Sequence, residues 1–381
     1  MPIDLAMFTD KLRRYCQQFE VSRSDLAAGT GISQDRLSEL TAQRSEPTGD
    51  EVLILADFFK CDFKFFISNE KLAPFEQTEN LFRRHGDVLT AQDRWTIQEF
   101  LFLCESQEFL LSGQSNAPVP FRFSKSGNYF KKHGQEAAAS LRRHFNYADH
   151  MVPKNVYEDF RRIGIHVFRR QLGQSVVSGL FVRHPTAGLC VLVNYSEDIY
   201  RQRFSAAHEV AHALLDDGED FIVSFSRWDQ GNLSEVRANT FASHYLMPPA
   251  FLRAIPSPKE WSQTKLLDWA KHLMVNPESL VYALKDALLL SDEQAADLRR
   301  LKLPRDEKQD PELPGHLTSR SRDRKLELLK RGLSDAYVSL CFDAYQQGRI
   351  TAGRLAEMLL CGETELVALC ELYGRRLTHV D

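Results

Sequence analysis

Two histidines with a glutamate after the first, His208-Glu-Val-Ala-His212, constrain this chain more than any other feature. Residues four apart on an α-helix share a face, so the string asks for a helix on which both imidazoles reach one cation. Glu209, beside the first, can then take a proton from water bound there. The surrounding residues Phe204 to Leu215 have the amphipathic pattern of such a helix. Two isolated histidines would more often be buried helix residues bonded to neighbours. Here a second helix over 234–246, stopped by Pro248-Pro249, offers Glu235, the only carboxylate between Asp229 and its end. Two histidines, one carboxylate and an open water position are the arrangement of catalytic zinc sites. A zinc held for structure alone is the competing reading.

At 381 residues the chain has room for two to three domains at about 150 residues each, and its 43% apolar content can build their cores. Forty-eight Lys+Arg against 52 Asp+Glu leave a net charge of −4, so a nucleic-acid footprint must be a local patch. Seven cysteines, odd in number and thinly spread, fit free thiols in a reducing cytosol. Asp4 and Asp10 stand where a secretory leader would be apolar, and no uncharged apolar run approaches the roughly 18 residues of a membrane helix. The expectation is a soluble cytoplasmic protein.

The fold class expected is mainly α with a small β-sheet. Residues 1–70 read as a helical unit, with apolar spacing through Leu5, Phe8, Leu12 and Tyr15 and again through Val52, Leu55, Ala56 and Phe59. Between them, Ser24 to Leu40 divides into two short helices meeting at Gly31, which permits a left-handed turn; Leu26, Ile32, Leu37 and Leu40 pack the corner. This resembles the Cro/repressor-like helix-turn-helix family, with Ser33 as cap and Gln34 to Ser38 as recognition helix. The unit carries eight Lys/Arg against twelve Asp/Glu, and Asp35 and Glu39 sit where phosphate contacts belong. Both DNA and protein therefore stay open as what it docks. A helical connector over 71–120 ends in the linker Gly113 to Pro120. The main domain, 121–300, should contain helices at 134–146 and 153–163, then β-like runs at 165–169, 176–182 and 189–194. The metal helix, an irregular stretch through Trp228, the Glu235 helix and further helices follow. Leu303 to Arg322 reads as a second linker, the domain boundaries being 301–322, and a helical module over 323–381 closes the chain.

Phe204-Ser-Ala-Ala-His-Glu-Val-Ala-His-Ala-Leu-Leu215 followed by Glu235-Val-Arg-Ala-Asn-Thr-Phe-Ala-Ser-His-Tyr-Leu-Met-Pro248 resembles the ImmA/IrrE family of bacterial zinc metallopeptidases over about 134–290. A Cro-like domain in front is a common partner of that family. The run Tyr337 to Leu359 is similar to the tail of long, repressor-fused members. The resemblance implies a zincin-like domain with His208, His212 and Glu235 as zinc ligands and Glu209 as general base. Asn239, one helical turn after Glu235, is the residue expected to hold a ligand in place. Tyr195, His244 and Tyr245 are three open choices for the oxyanion donor. The run Leu189 to Asn194 is expected to offer an edge on which an extended substrate lies as an added strand. The family implication is limited cleavage of a small helix-turn-helix repressor, releasing a stress or phage-defence operon after DNA damage. The alternative is a DNA-binding regulator whose metal domain senses a ligand without turnover.

Two further features bear on control. Cys104 lies in the connector, where its thiolate could occupy the open zinc position as an inhibitory fourth ligand; the competing reading is a buried apolar cysteine. Residues 121–170 hold eleven Lys/Arg against four acids, with nine aromatics interleaved. That is the composition of a single-strand binder, with Arg122, Lys125, Lys131, Lys132, Arg142 and Arg143 as its contacts and single-stranded DNA as an activator. A solvated face over core aromatics would look the same. Helical modules at both ends add a homodimer to the expected partners, and no membrane.

Overall fold

A computed structural model describes residues 3–61, 63–68, 76–85, 88–112, 118–173, 176–225 and 232–377. Residues 113–117 of the expected linker, and Trp228, lie outside that set. The chain divides into two compact units, 1–105 with 172–175, and 106–171 with 176–381. No helix among the described residues is long and apolar enough to cross a membrane.

The first unit is helical: α1 (Leu5–Gln18), α2 (Arg23–Thr30), α3 (Gln34–Thr41), α4 (Gly49–Phe58), α5 (Lys64–Ile67), α6 (Glu76–His85) and most of α7 (Ala91–Leu111). Local chemistry sets its helix starts. Ser22 and Asp25 form a capping box, Ser33 accepts from the Arg36 amide, and Thr48 and Glu51 form a second box. Gly31 ends α2 at φ 72°, the left-handed turn that the sequence called for. Leu26, Ile32, Leu37 and Leu40 are buried at the corner. On α3, Arg36 turns back onto Glu51, at 2.7 and 2.9 Å, and onto the Ser45 hydroxyl at 2.6 Å. Asp35 and Glu39 stay exposed.

The second unit carries a four-stranded mixed sheet of β1 (Ile165–Arg170), β2 (Val177–His184), β3 (Gly188–Asn194) and β4 (Phe221–Phe225) in the order β1-β3-β2-β4. β1 runs parallel to β3, and the β2 pairings with β3 and β4 are antiparallel. Helices α8 (Phe130–His144), α9 (Val156–Arg162), α10 (Ile199–Leu215) and α11 (Leu233–Leu246) share one apolar core with the sheet residues Val167, Phe181, Val191 and Val193. Beyond α11 come α12 (Pro249–Ala254), α13 (Gln263–Leu273), α14 (Pro277–Asp286) and α15 (Asp292–Leu298). The last four helices are α16 (Ser319–Lys330), α17 (Asp335–Gln346), α18 (Ala352–Met358) and α19 (Glu363–Tyr373).

Three expectations are corrected here. β4 lies in the stretch expected to be irregular; its Phe-Ile-Val-Ser-Phe composition suits a strand. β3 is not an edge: it lies between β1 and β2, paired on both sides, so it has no place for an added strand. The segment expected as a second linker is anchored. The fully buried Arg169 takes Asp310 at 2.9 and 3.0 Å and Glu312 at 2.9 Å, Arg161 takes Glu312 at 2.7 Å, and Lys308 reaches Asp198 at 2.6 Å. Its prolines and mixed charges describe an irregular chain bound by ion pairs to β1 and the start of α10.

Candidate metal centre

The helix bearing the histidine pair starts at Asp198, whose carboxylate accepts from the Tyr200 and Arg201 amides. Nearly all its side chains are buried, so it is a core element and not a surface amphipath. α11 starts at Asn232, which accepts from the Ser234 amide, and places Glu235 in its first turn. The two helices bring three groups together. His208 Nε2 and His212 Nε2 lie 3.1 Å apart, and the Glu235 oxygens lie 3.2 Å from the first and 3.3 Å from the second. This is the one His/Cys/Asp/Glu cluster with metal-ligating geometry among the described residues.

The other ring nitrogens face outward to fixed partners. His208 Nδ1 bonds Asn239 Oδ1 at 3.1 Å, and His212 Nδ1 donates to Asp216 Oδ2 at 2.8 Å. Asp216 in turn pairs with Arg237. Both Nε2 atoms are thereby turned toward the Glu235 carboxylate. His212 is fully buried, His208 is 7% exposed, and the Glu235 side chain, at 18%, is the most open of the three.

Glu209 is fully buried, and among the described residues neither of its oxygens accepts a hydrogen bond. The Ser224 hydroxyl of β4 faces it without reaching normal hydrogen-bond geometry. Beneath it lies Gly179 of β2, where a Cβ would stand 3.0 Å from Glu209 Cγ and Oε1. Among the described residues, this buried carboxylate accepts no hydrogen bond and stands beside three converging ligand atoms, which leaves it to be satisfied by an ion and its water. The set fits a divalent cation with bound water, and two imidazoles with one carboxylate match zinc.

In the metal-free site the charges pair among themselves. Burial pushes the Glu209 carboxyl up, against the pull of His208 and His212. Burial would raise Glu235 too, but hydrogen bonds from both histidines hold it well below the usual carboxylate range. Burial would lower His212, and Asp216 and Glu235 outweigh it, lifting the imidazole to about 9.

The expected oxyanion donors each have other partners. Tyr245 is fully buried, and its hydroxyl donates to Asp159 at 2.9 Å. Tyr195 lines a cavity of about 510 Å³ with residues of α16 and α19, its ring 5.3 Å from the Arg169 guanidinium. His244 bonds the Thr240 carbonyl at 3.0 Å, and Asp286 and Lys131 are its charged neighbours. Of the expected nucleic-acid contacts, Arg142 is buried and donates to the carbonyls of Tyr245, Ala148 and Met151. Lys125 holds the Leu215 carbonyl and Asp217, Lys131 pairs with Asp286, and Lys132 lies 3.5 Å from Glu136. Arg122 and Arg143 are exposed. Phe123, Phe145 and Tyr147 pack on the core. Cys104 is fully buried on α7. Sequence reasoning missed Gly179, Asp216, Ser224 and Arg237. Only Asp216 had a local signal, four residues after His212 on the same helical face.

Residues 160–285 match the Peptidase_M78 family model, the IrrE N-terminal-like domain, and residues 12–66 match the helix-turn-helix model HTH_3. No curated protein matches the chain.

Proposed function

We propose, for a chain that carries an IrrE N-terminal-like peptidase domain behind a helix-turn-helix, that it is a zinc-dependent endopeptidase acting on a partner protein. The observation that carries this reading is the convergence of His208, His212 and Glu235 beside a fully buried Glu209 with both oxygens unpartnered among the described residues. His208, His212 and Glu235 would hold the ion, with Asn239 and Asp216 aiming the two rings. When bound, zinc supplies Lewis acidity and a water of lowered pKa. Glu209 accepts the proton of the attacking water at its carboxylate and returns it to the leaving amine. Its raised proton affinity, caused by burial, suits both halves of that transfer. An extended substrate fits beside β4, the strand at the end of the sheet whose Ser224 faces Glu209.

The substrate class we favour is a small helix-turn-helix repressor whose loss releases a stress or phage-defence operon, with a DNA-damage signal such as single-stranded DNA as activator. The test is incubation of the full chain with zinc and the product of a neighbouring repressor gene, with and without oligonucleotide, read by intact mass. We expect a discrete cleavage that Glu209→Gln abolishes, a loss of at least about 10³-fold, while zinc content is unchanged. Cleavage surviving Glu209→Gln overturns the mechanism. Operator occupancy by Glu209→Gln with no cleavage by either protein favours the ligand-sensing regulator instead.

A further inference from the structure

We infer that Asp216 and Arg237 form a brace that sets His212 for the metal and keeps its helix in register with the helix that carries Glu235; this rests on the metal reading above. Asp216 is the first residue beyond α10, and its carboxylate serves two partners with two different oxygens. Oδ2 accepts from His212 Nδ1 at 2.8 Å, and Oδ1 takes the Arg237 guanidinium. Arg237 stands two residues past Glu235 on α11, with a side chain only 6% exposed and its guanidinium 5.0 Å from the centre of the Phe130 ring. Each ligand helix therefore grips the other within a turn of its own ligand.

A carboxylate offers no donor, so a proton stays on His212 Nδ1 and Nε2 is the nitrogen left to face the metal. With Oδ1 tied to a cation, the carboxylate cannot rotate away, and Oδ2 keeps its aim. His208 has only a neutral amide, Asn239, in the same role. A charge-assisted hydrogen bond is roughly twice as strong as a neutral one, so His212 is the more firmly set of the two rings. Part of the basic segment 121–170 walls this end of α10: Lys125 caps the Leu215 carbonyl and pairs with Asp217 at 3.0 Å, and Phe130 lies against Arg237.

The test is a competitive zinc titration of the full chain against a chromophoric chelator, for the parent, Asp216→Asn, Arg237→Gln and the double variant, with metal-free melting curves beside it. Each single substitution should weaken zinc by roughly 10- to 100-fold, the range for partners of ligating histidines. The double variant should bind about as weakly as Asp216→Asn alone, because both residues act through one carboxylate. No zinc uptake by the parent would remove the metal reading itself. Parent uptake with unchanged affinity in both single variants overturns the brace and leaves the metal reading standing. Losses that multiply in the double variant overturn the shared carboxylate. Should Asp216→Asn not fold, Arg237→Lys decides: affinity within about threefold of the parent supports a charge-held brace, and a loss equal to that of Arg237→Gln overturns it.

Discussion

Gly179 leaves no space between β2 and Glu209. A methyl group there would meet the Leu192 carbonyl oxygen at 2.8 Å and Glu209 at 3.0 Å. Gly179→Ala must displace the strand or the carboxylate, at a cost of about 1–3 kcal/mol by overpacking. Because an ångström of misplacement near the chemistry can cost on the order of 100-fold, we expect kcat to fall about 10- to 100-fold with zinc content retained. Steady-state kinetics beside metal analysis checks this, and an unchanged kcat sinks it. Residue by residue, the histidine-glutamate string was legible because His208, Glu209 and His212 are neighbours on one turn. Gly179 was not, because its meaning depends on a helix thirty residues away that packs across its strand.

Among the elements, β1 depends on distant chain. It contributes the fully buried Arg169, which is satisfied by Asp310 and Glu312 and lies 4.5 Å from the Tyr157 ring centre. Removing one partner from a buried ion pair costs roughly 3–5 kcal/mol, so Arg169→Met should lower the melting temperature markedly, measured by calorimetry. Glu312 gives the pH dependence its sign. Burial would raise its carboxyl, but Arg161 and Arg169 outweigh this and hold it below the ordinary range. A depressed carboxylate adds stability above its unfolded-state pKa of about 4.3, and that stability is lost as pH falls through the folded value. The parent should therefore weaken steeply in acid and Arg169→Met less so; parallel curves would refute this role. Helix positions in the first unit were legible through apolar spacing and through the Ser33 cap, whose partner stands three residues away. β1 was legible as a strand, yet the role of Arg169 was not, since its anions Asp310 and Glu312 lie about 140 residues further on.

For the molecule as a whole, two compact units and a candidate metal cluster that, among the described residues, lies in the second alone predict uneven sensitivity to metal. Ligand that binds only the native state stabilises by about 2.7 kcal/mol at a concentration 100 times Kd. Zinc should raise, and a chelator lower, the melting of the second unit alone. Calorimetry with and without chelator tests this, and a shift confined to the first unit contradicts it. The helix-turn-helix, the helical character and the histidine-glutamate string were set by residues three or four apart, so local periodicity, capping and backbone freedom were enough to write them into the chain. The depth of Glu209, the exclusion of β3 from the sheet edge, the tie between Asp216 and Arg237, and the anchoring of the segment around Asp310 arise from pairings between residues tens to more than a hundred positions apart. Such pairings are selected by packing and by the need to satisfy every buried charge, conditions that exist only once the sheet and its helices have come together.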